Sequence, residues 1–343
     1  MTYAVRRVGW FARAAGRVLT ARLRSHRPFF ISHLITARCF AQCPMCLWRG
    51  DVPEEEDTTK IVDFYRQARQ EGFLSTTFWG GEPLLREDIF EILKECQRLG
   101  LVTGLITNGS RLPKYYVELS KLLDFLIVSI DIPSSEHDQL RGVRGMFERA
   151  VLGTQLIRSE NPQVKVFINS VISTLNSPYV DGLVRFSKDL KISITFESVN
   201  RADPEFPRKE DSKPIDLRLP PAQEKAVFRK LRLLKREGYR INNSGSYLHM
   251  FETGRVRYRC HARKVSIRVE PNGDVTNCLD RGTPIGNVYR ERLGDILRSQ
   301  SLRQLQSGAE NCSRCVDTGT IECSLFWNFK PEVVLNTFRL FLG

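Results

Sequence analysis

Residues 29–46, FFISHLITARCFAQCPMC, read as an apolar β-rich run from Phe29 to Thr36, followed three residues later by a loop that carries Cys39, Cys43 and Cys46. A strand that runs into such a loop delivers its functional groups to the carboxyl end of a sheet, where parallel α/β folds carry their sites. The thiols are separated by three and then two residues, and no fourth stands beside them. A structural zinc site closes with four ligands, and the nearest histidine, His33, lies inside the strand on the far side of Arg38. A four-iron cubane held by three thiolates instead leaves one iron open to a small molecule. Iron therefore explains the odd number better than zinc does.

Outward from this stretch, short β-rich runs alternate with amphipathic ones. Further strands are expected over Leu74–Trp79, Val102–Thr107, Phe125–Asp131, Val164–Ile172 and Ile192–Val199. Helical periodicity falls between them, over Thr59–Gln70, Arg86–Leu99, Lys114–Leu123, Met146–Arg158 and Tyr179–Leu190. Repeated βα units with right-handed crossovers give a parallel sheet. Six units fall short of an eight-fold barrel, so the expected fold is α/β, a partial (β/α)6 barrel over 29–200. Residues 201–240 read as a proline- and charge-rich linker with one helix, 241–325 as a small cysteine-bearing unit, and 326–343 as an apolar terminal helix.

The chain has 343 residues, 41% hydrophobic, enough for a large core. Nine cysteines are too few for a disulfide scaffold, and their clustering favours metal ligation in a reducing compartment, hence a cytoplasmic location. No apolar run approaches the ~18 residues a bilayer span needs. Of the net charge of +13, eight come from arginines within residues 1–38, which hold no acidic residue. Over 1–28, Arg6, Arg13, Arg17 and Arg24 oppose an apolar stripe through Val8, Phe11, Ala12, Ala15, Leu19 and Leu23, as in a basic amphipathic helix. Three readings stay open: a helix docked on its own protein, one lying on an anionic membrane surface, or a transit peptide. Nucleic acid ranks last as a partner, because no RNA-binding motif accompanies the arginines.

Several strand ends carry chemistry in order. Gly80-Gly81-Glu82-Pro83 follows the second strand, Thr107-Asn108-Gly109 the third, and Ser129-Ile130-Asp131 closes the fourth, with Arg141 just beyond. Each alone is an ordinary turn or strand end. Together with the cysteine loop they resemble the radical S-adenosylmethionine (SAM) enzymes. The resemblance implies a 4Fe-4S cluster on Cys39, Cys43 and Cys46, and SAM held through Gly80, Gly81, Glu82, Pro83, Asn108, Ser129, Asp131 and Arg141. Glu82 would face the methionyl ammonium and Arg141 the carboxylate. Met45 stands where the family usually has an aromatic residue. Cys96, inside a helical pattern, reads as a core thiol.

Of Cys260, Cys278, Cys312, Cys315 and Cys323, the first two bracket VSIRVEPNGDVTNC, which ends on Cys278 and reads as two β runs around a Pro271–Asp274 turn. This is similar to the SPASM, or twitch, extension that binds an auxiliary 4Fe-4S cluster. The resemblance implies Cys260, Cys278, Cys312 and Cys315 as ligands, with Cys323 as the alternative to Cys312 and a zinc ribbon as the alternative site. It further implies that a low-potential donor of the flavodoxin or ferredoxin type drives reductive cleavage of SAM to a 5′-deoxyadenosyl radical, which takes hydrogen from a substrate. That substrate is read as a membrane-associated lipid or isoprenoid, with a ribosomally made peptide, or a noncatalytic iron–sulfur or RNA-binding role, as alternatives.

Overall fold

The computed structural model describes residues 27–46, 54–199, 217–276 and 284–342, together with Gly16, Leu19 and Thr20. All six expected strands are present: β1 Phe30–Thr36, β2 Ser75–Gly80, β3 Val102–Thr107, β4 Phe125–Ser129, β5 Lys165–Ile172 and β6 Ser193–Ser198. Their ends move by two residues or fewer from the sequence reading. They pair in chain order, every pair parallel, from Phe30 opposite Ser75 to Ile172 opposite Ser198. Helices Thr58–Gln70, Ile89–Arg98, Leu112–Leu122, Met146–Glu160 and Val180–Asp189 make the crossovers. Most of residues 1–28, residues 201–216 of the linker, and Cys278 lie outside the described residues, while the expected linker helix is present as Pro221–Arg236.

The two faces of the sheet differ. Along β5 and β6 the residues Val166, Ile168, Ser170, Ile172, Ile194, Phe196 and Ser198 are buried, and the alternating set is only half-buried. With side chains alternating across a strand, one face packs under the helices and the other looks into an open lumen. The helix Thr58–Gln70 shows the complement: Asp57 caps it by accepting from Lys60 N at 3.0 Å, and Ile61, Phe64, Tyr65 and Ala68 are buried beneath it. Cys96 is fully buried in the same core.

The sheet has eight strands rather than six. Two come from the C-terminal portion, β7 Ser266–Val269 and β8 Val275–Thr276, in the order β6-β5-β4-β3-β2-β1-β7-β8. β7 lies parallel to β1, and β8 returns antiparallel across the expected turn. The physical reason is the edge of β1, whose unpaired backbone groups need a partner. The other edge is covered too. Ile194 N donates to Arg240 O at 2.9 Å, Asn242 N to Ile194 O at 2.8 Å, and the Asn243 amide bonds both Phe196 N and Phe196 O. A hydrogen-bonded relay, Tyr289 to His33 to Tyr65 to Thr76, fastens the C-terminal portion through the core. No helix among the described residues is long and apolar enough to cross a membrane.

Candidate active site

The cysteine loop is tethered at three points. Gly81 N donates to Thr36 O, Glu82 N to Arg38 O and Gln42 N to Arg141 O, each at 2.8 Å. Arg38 adds a bidentate pair to Glu55, both contacts 2.8 Å, and the Thr36 hydroxyl donates to the same carboxylate. Fork-shaped pairing of this kind fixes direction as well as charge. The loop after β1 is thus laid against the loop after β2, and glycine is required there. A Cβ on Gly80 would sit 2.1 Å from Thr36 O, and one on Gly81 the same distance from Arg38 O. Gly80 also adopts φ +143°, in the region that favours glycine.

Cys39 is exposed, and Cys43 and Cys46 pack with Ala41, Met45, Val143 and Met146. Partial shielding from water, opposed by a hydrogen bond from Ala41 N, combines with Glu82, Cys43 and Cys46 to push the Cys39 thiol up to about 11. Three thiolates on one short loop call for a compensating cation, which suits an iron–sulfur cluster.

Glu82 is fully buried, and its carboxylate accepts from Leu84 N, the Thr107 hydroxyl and Asn108 N at 2.8–3.1 Å. Burial raises its pKa against the pull of those bonds. It rivets the ends of β2 and β3 together. Asn108 turns its Oδ1 onto Ser110 N and Oγ, leaving a buried Nδ2 with no hydrogen-bond partner among the described residues. Such a donor is costly unless something accepts from it, so the site fits a polar cofactor.

Asp131, just past β4, accepts from Val171 N at 2.9 Å and from Arg141 Nε and Nη2 at 2.9 and 2.5 Å. Burial would lower the Arg141 pKa, but Asp131 together with Cys43 and Cys46 raises it, so the guanidinium stays charged beside the cysteine loop. Ser129 is half-buried and pairs in register with Asn169.

Glu197 was not anticipated from sequence. It lies on the lumen face of β6, accepting from the Asn169 side chain and Thr318 N, and burial together with Asp317 pushes its pKa up to about 7. The only sequence signal was the alternation Ser193, Thr195, Glu197, which sets three polar residues on one face.

In the C-terminal portion, Tyr258 donates to Cys315 O at 2.9 Å. Burial first, then Cys315, Cys260, Asp317 and Cys312, raise the Tyr258 pKa; Cys260 packs with Ala309 and Tyr258, and Cys312 N donates to Ala309 O at 2.9 Å. Cys323 packs instead with Phe29, Leu74, Val265 and Trp327, and burial pushes its thiol up to about 12. No disulfide joins the described cysteines, and among the described residues no three Cys, His, Asp or Glu side chains are set for a single metal ion.

Comparison with known proteins agrees with this geometry. The radical SAM superfamily model matches residues 34–186, and the SPASM iron–sulfur cluster-binding domain model matches 260–316. An AdoMet-dependent heme synthase of Methanosarcina barkeri is 33% identical over 174 residues, 48% of this chain and 49% of the relative, so the chain spans about half of that protein's length. The fold is similar to Streptococcus suis SuiB bound to SAM, with TM-score 0.67 and 20% identity over 87% of this chain and 72% of that one. It is also similar to anSMEcpe with bound AdoMet and a peptide, with TM-score 0.65 and 14% identity over 90% and 98%.

Proposed function

Because this chain belongs to the radical SAM superfamily of enzymes and carries a C-terminal SPASM iron–sulfur domain, we propose that it uses reductive cleavage of SAM to take hydrogen from a carbon of a peptide substrate. The observation that carries the reading is the tethering of the cysteine loop to Gly81, Glu82 and Arg141. Cys39, Cys43 and Cys46 would hold the SAM-binding cluster, and Cys260, Cys278, Cys312 and Cys315 the auxiliary one. Cys312 is favoured over Cys323 because Cys312 N donates to the carbonyl of Ala309, which packs with Cys260, whereas Cys323 packs with Phe29, Leu74, Val265 and Trp327. When bound and reduced by a low-potential donor, the first cluster would supply the one-electron reduction that cleaves SAM.

The chain's own residues set the geometry. The Gly80–Glu82 backbone, free of Cβ atoms at its first two positions, lies beside the cysteine loop, where it would leave room for the cofactor. Asn108 Nδ2 offers a donor in want of an acceptor. Arg141, held by Asp131, offers a fixed positive charge, and Ser129 lines the lumen. Glu82 acts by bracing β2 against β3 rather than by presenting its own carboxylate, whose oxygens are occupied. Glu197 and Asn169 face the lumen where substrate enters.

Peptide is favoured because the fold is similar to that of SuiB bound to a precursor peptide and of anSMEcpe with a bound peptide. A heme-type precursor is the second reading, from the sequence likeness to the heme synthase. The basic segment that pointed to lipid lies mostly outside the described residues. The test is deuterium transfer into 5′-deoxyadenosine, using peptide and tetrapyrrole fractions of cells grown in deuterated medium. Label from the peptide fraction supports the proposal, and label only from tetrapyrroles replaces it with the second reading.

A further inference from the structure

Residues 255–260, RVRYRC, run into Cys260 with a strict alternation. Arg255, Arg257 and Arg259 are exposed, whereas Val256 and Tyr258 pack on the core and Cys260 is buried. The inward side therefore carries the thiol, and the outward side carries only guanidiniums. Tyr258 donates to Cys315 O at 2.9 Å, which brings Arg314, exposed between Cys312 and Cys315, alongside the row. Arg259 pairs with Glu310 at 2.9 Å, two residues before Cys312, and ties the row to that segment as well.

The charges on this face do not cancel. Glu310 is shared between Arg259 and Lys264. The other carboxylate close by, Asp317, accepts from Thr320 N at 2.7 Å and caps the helix Thr318–Trp327. Arg255, Arg257 and Arg314 form no ion pair with any described residue. Five cations thus stand against two carboxylates. Like charges gathered in this way repel one another, and they speed the approach of an oppositely charged partner.

We propose that this arginine row is the docking face for an acidic one-electron carrier protein of the flavodoxin or ferredoxin class, which exchanges an electron with the auxiliary cluster. The inference rests on the reading of Cys260, Cys312 and Cys315 as ligands of that cluster. One electron passes from whichever centre is reduced to the other, and no proton or group moves with it. The row lies on the segments that carry these thiols, where a partner's redox centre has to come close. Redox encounters use small interfaces that charge steers, rather than large apolar ones. Nucleic acid fits less well, because the outward side offers no aromatic ring for a base to stack on. A membrane surface also fits less well, because the apolar side chains of the segment, Val256 and Tyr258, face the core.

A strongly acidic flavodoxin is the probe, titrated calorimetrically into the cluster-loaded enzyme at low salt. One equivalent is expected to bind, more weakly as salt rises. Arg257→Glu combined with Arg314→Glu is expected to weaken binding at least about tenfold, and the same two positions changed to lysine to keep it within about threefold, because charge is what the partner reads. Arg144→Glu combined with Arg185→Glu is the control. Both are exposed, the first beside Val143, which packs with Cys43 and Cys46, and the second on the helix Val180–Asp189. The control makes the same change in net charge and is expected to leave the affinity within about threefold of wild type. Absence of binding at low salt, unchanged affinity in the first variant, loss in the lysine variant, or an equal loss in the control overturns the proposal. So does tighter retention by single-stranded nucleic acid or anionic vesicles than by the flavodoxin. Dithionite-driven release of 5′-deoxyadenosine by the wild type, which needs no carrier, is measured alongside. Release without carrier binding overturns this inference alone, and carrier binding without release overturns the proposed function instead.

Discussion

Gly81→Ala tests how the site is built. The new Cβ would stand 2.1 Å from Arg38 O, 2.5 Å from Arg38 C and 2.7 Å from Ala37 O, all backbone atoms one and two residues before Cys39. Real Cβ atoms essentially never come within 3.0 Å, so the strand-end loops must separate by at least about 0.9 Å. Overpacking of this kind costs about 1–3 kcal/mol. The displacement also pulls on the bonds from Gly81 N to Thr36 O and from Glu82 N to Arg38 O, worth about 0.5–1.5 kcal/mol each. The motion acts on the chain that presents Cys39, and a shift near 1 Å at a reacting geometry can cost about a hundredfold in rate. We expect Gly81→Ala to retain a native circular dichroism spectrum, to lose SAM affinity, and to hold the cluster of Cys39, Cys43 and Cys46 loosely under a chelator challenge. Gly308→Ala is the control: nothing lies within 4 Å of its added Cβ, so it should stabilise by about 0.5–1 kcal/mol. If Gly81→Ala matches wild type in cluster retention and SAM binding, the close approach of the two loops does not matter and the reasoning fails.

Three further outcomes are expected. Burial, with Arg86 adding to it, lowers the His33 pKa to about 3, so only the unfolded chain takes up its proton below 6.5; stability should fall as pH drops from 6.5 toward 3, by at most about 1.4 kcal/mol per unit, and His33→Gln should flatten that slope in urea titrations. Asp131→Asn leaves the buried Arg141 without its counter-charge and should destabilise by about 3–5 kcal/mol, read from denaturant midpoints, while weakening SAM binding. Glu197 is protonated below about 7, so a substrate step that needs its carboxylate should rise with pH around that value, and Glu197→Gln should abolish the dependence while leaving substrate-free SAM cleavage intact.

The parallel strands were legible because their periodicity and flanking turns are local properties. So was the cysteine loop, whose position follows from the end of one apolar run. What the sequence concealed depends on distant partners. SIRV at 266–269 is a short run with nothing in it to say that it pairs with β1, more than 200 residues earlier. Glu82 looked like a free carboxylate until the ends of β2 and β3 came together around it. Arg141 looked like a lone cation, but it is steered by an aspartate ten residues earlier. Glu197 was one polar residue among several on a strand, and only the curvature that makes an open lumen gives that face a meaning.

The central claim is that the tethered cysteine loop performs reductive cleavage of SAM. Its most direct test is anaerobic release of 5′-deoxyadenosine from SAM by the reconstituted protein with dithionite, compared with a variant in which Cys39, Cys43 and Cys46 are all alanine. The account predicts slow, steady release from the wild type and none from the variant, which should still retain the iron of the auxiliary site. Equal release from both, or none from a wild type carrying its full iron, would contradict it.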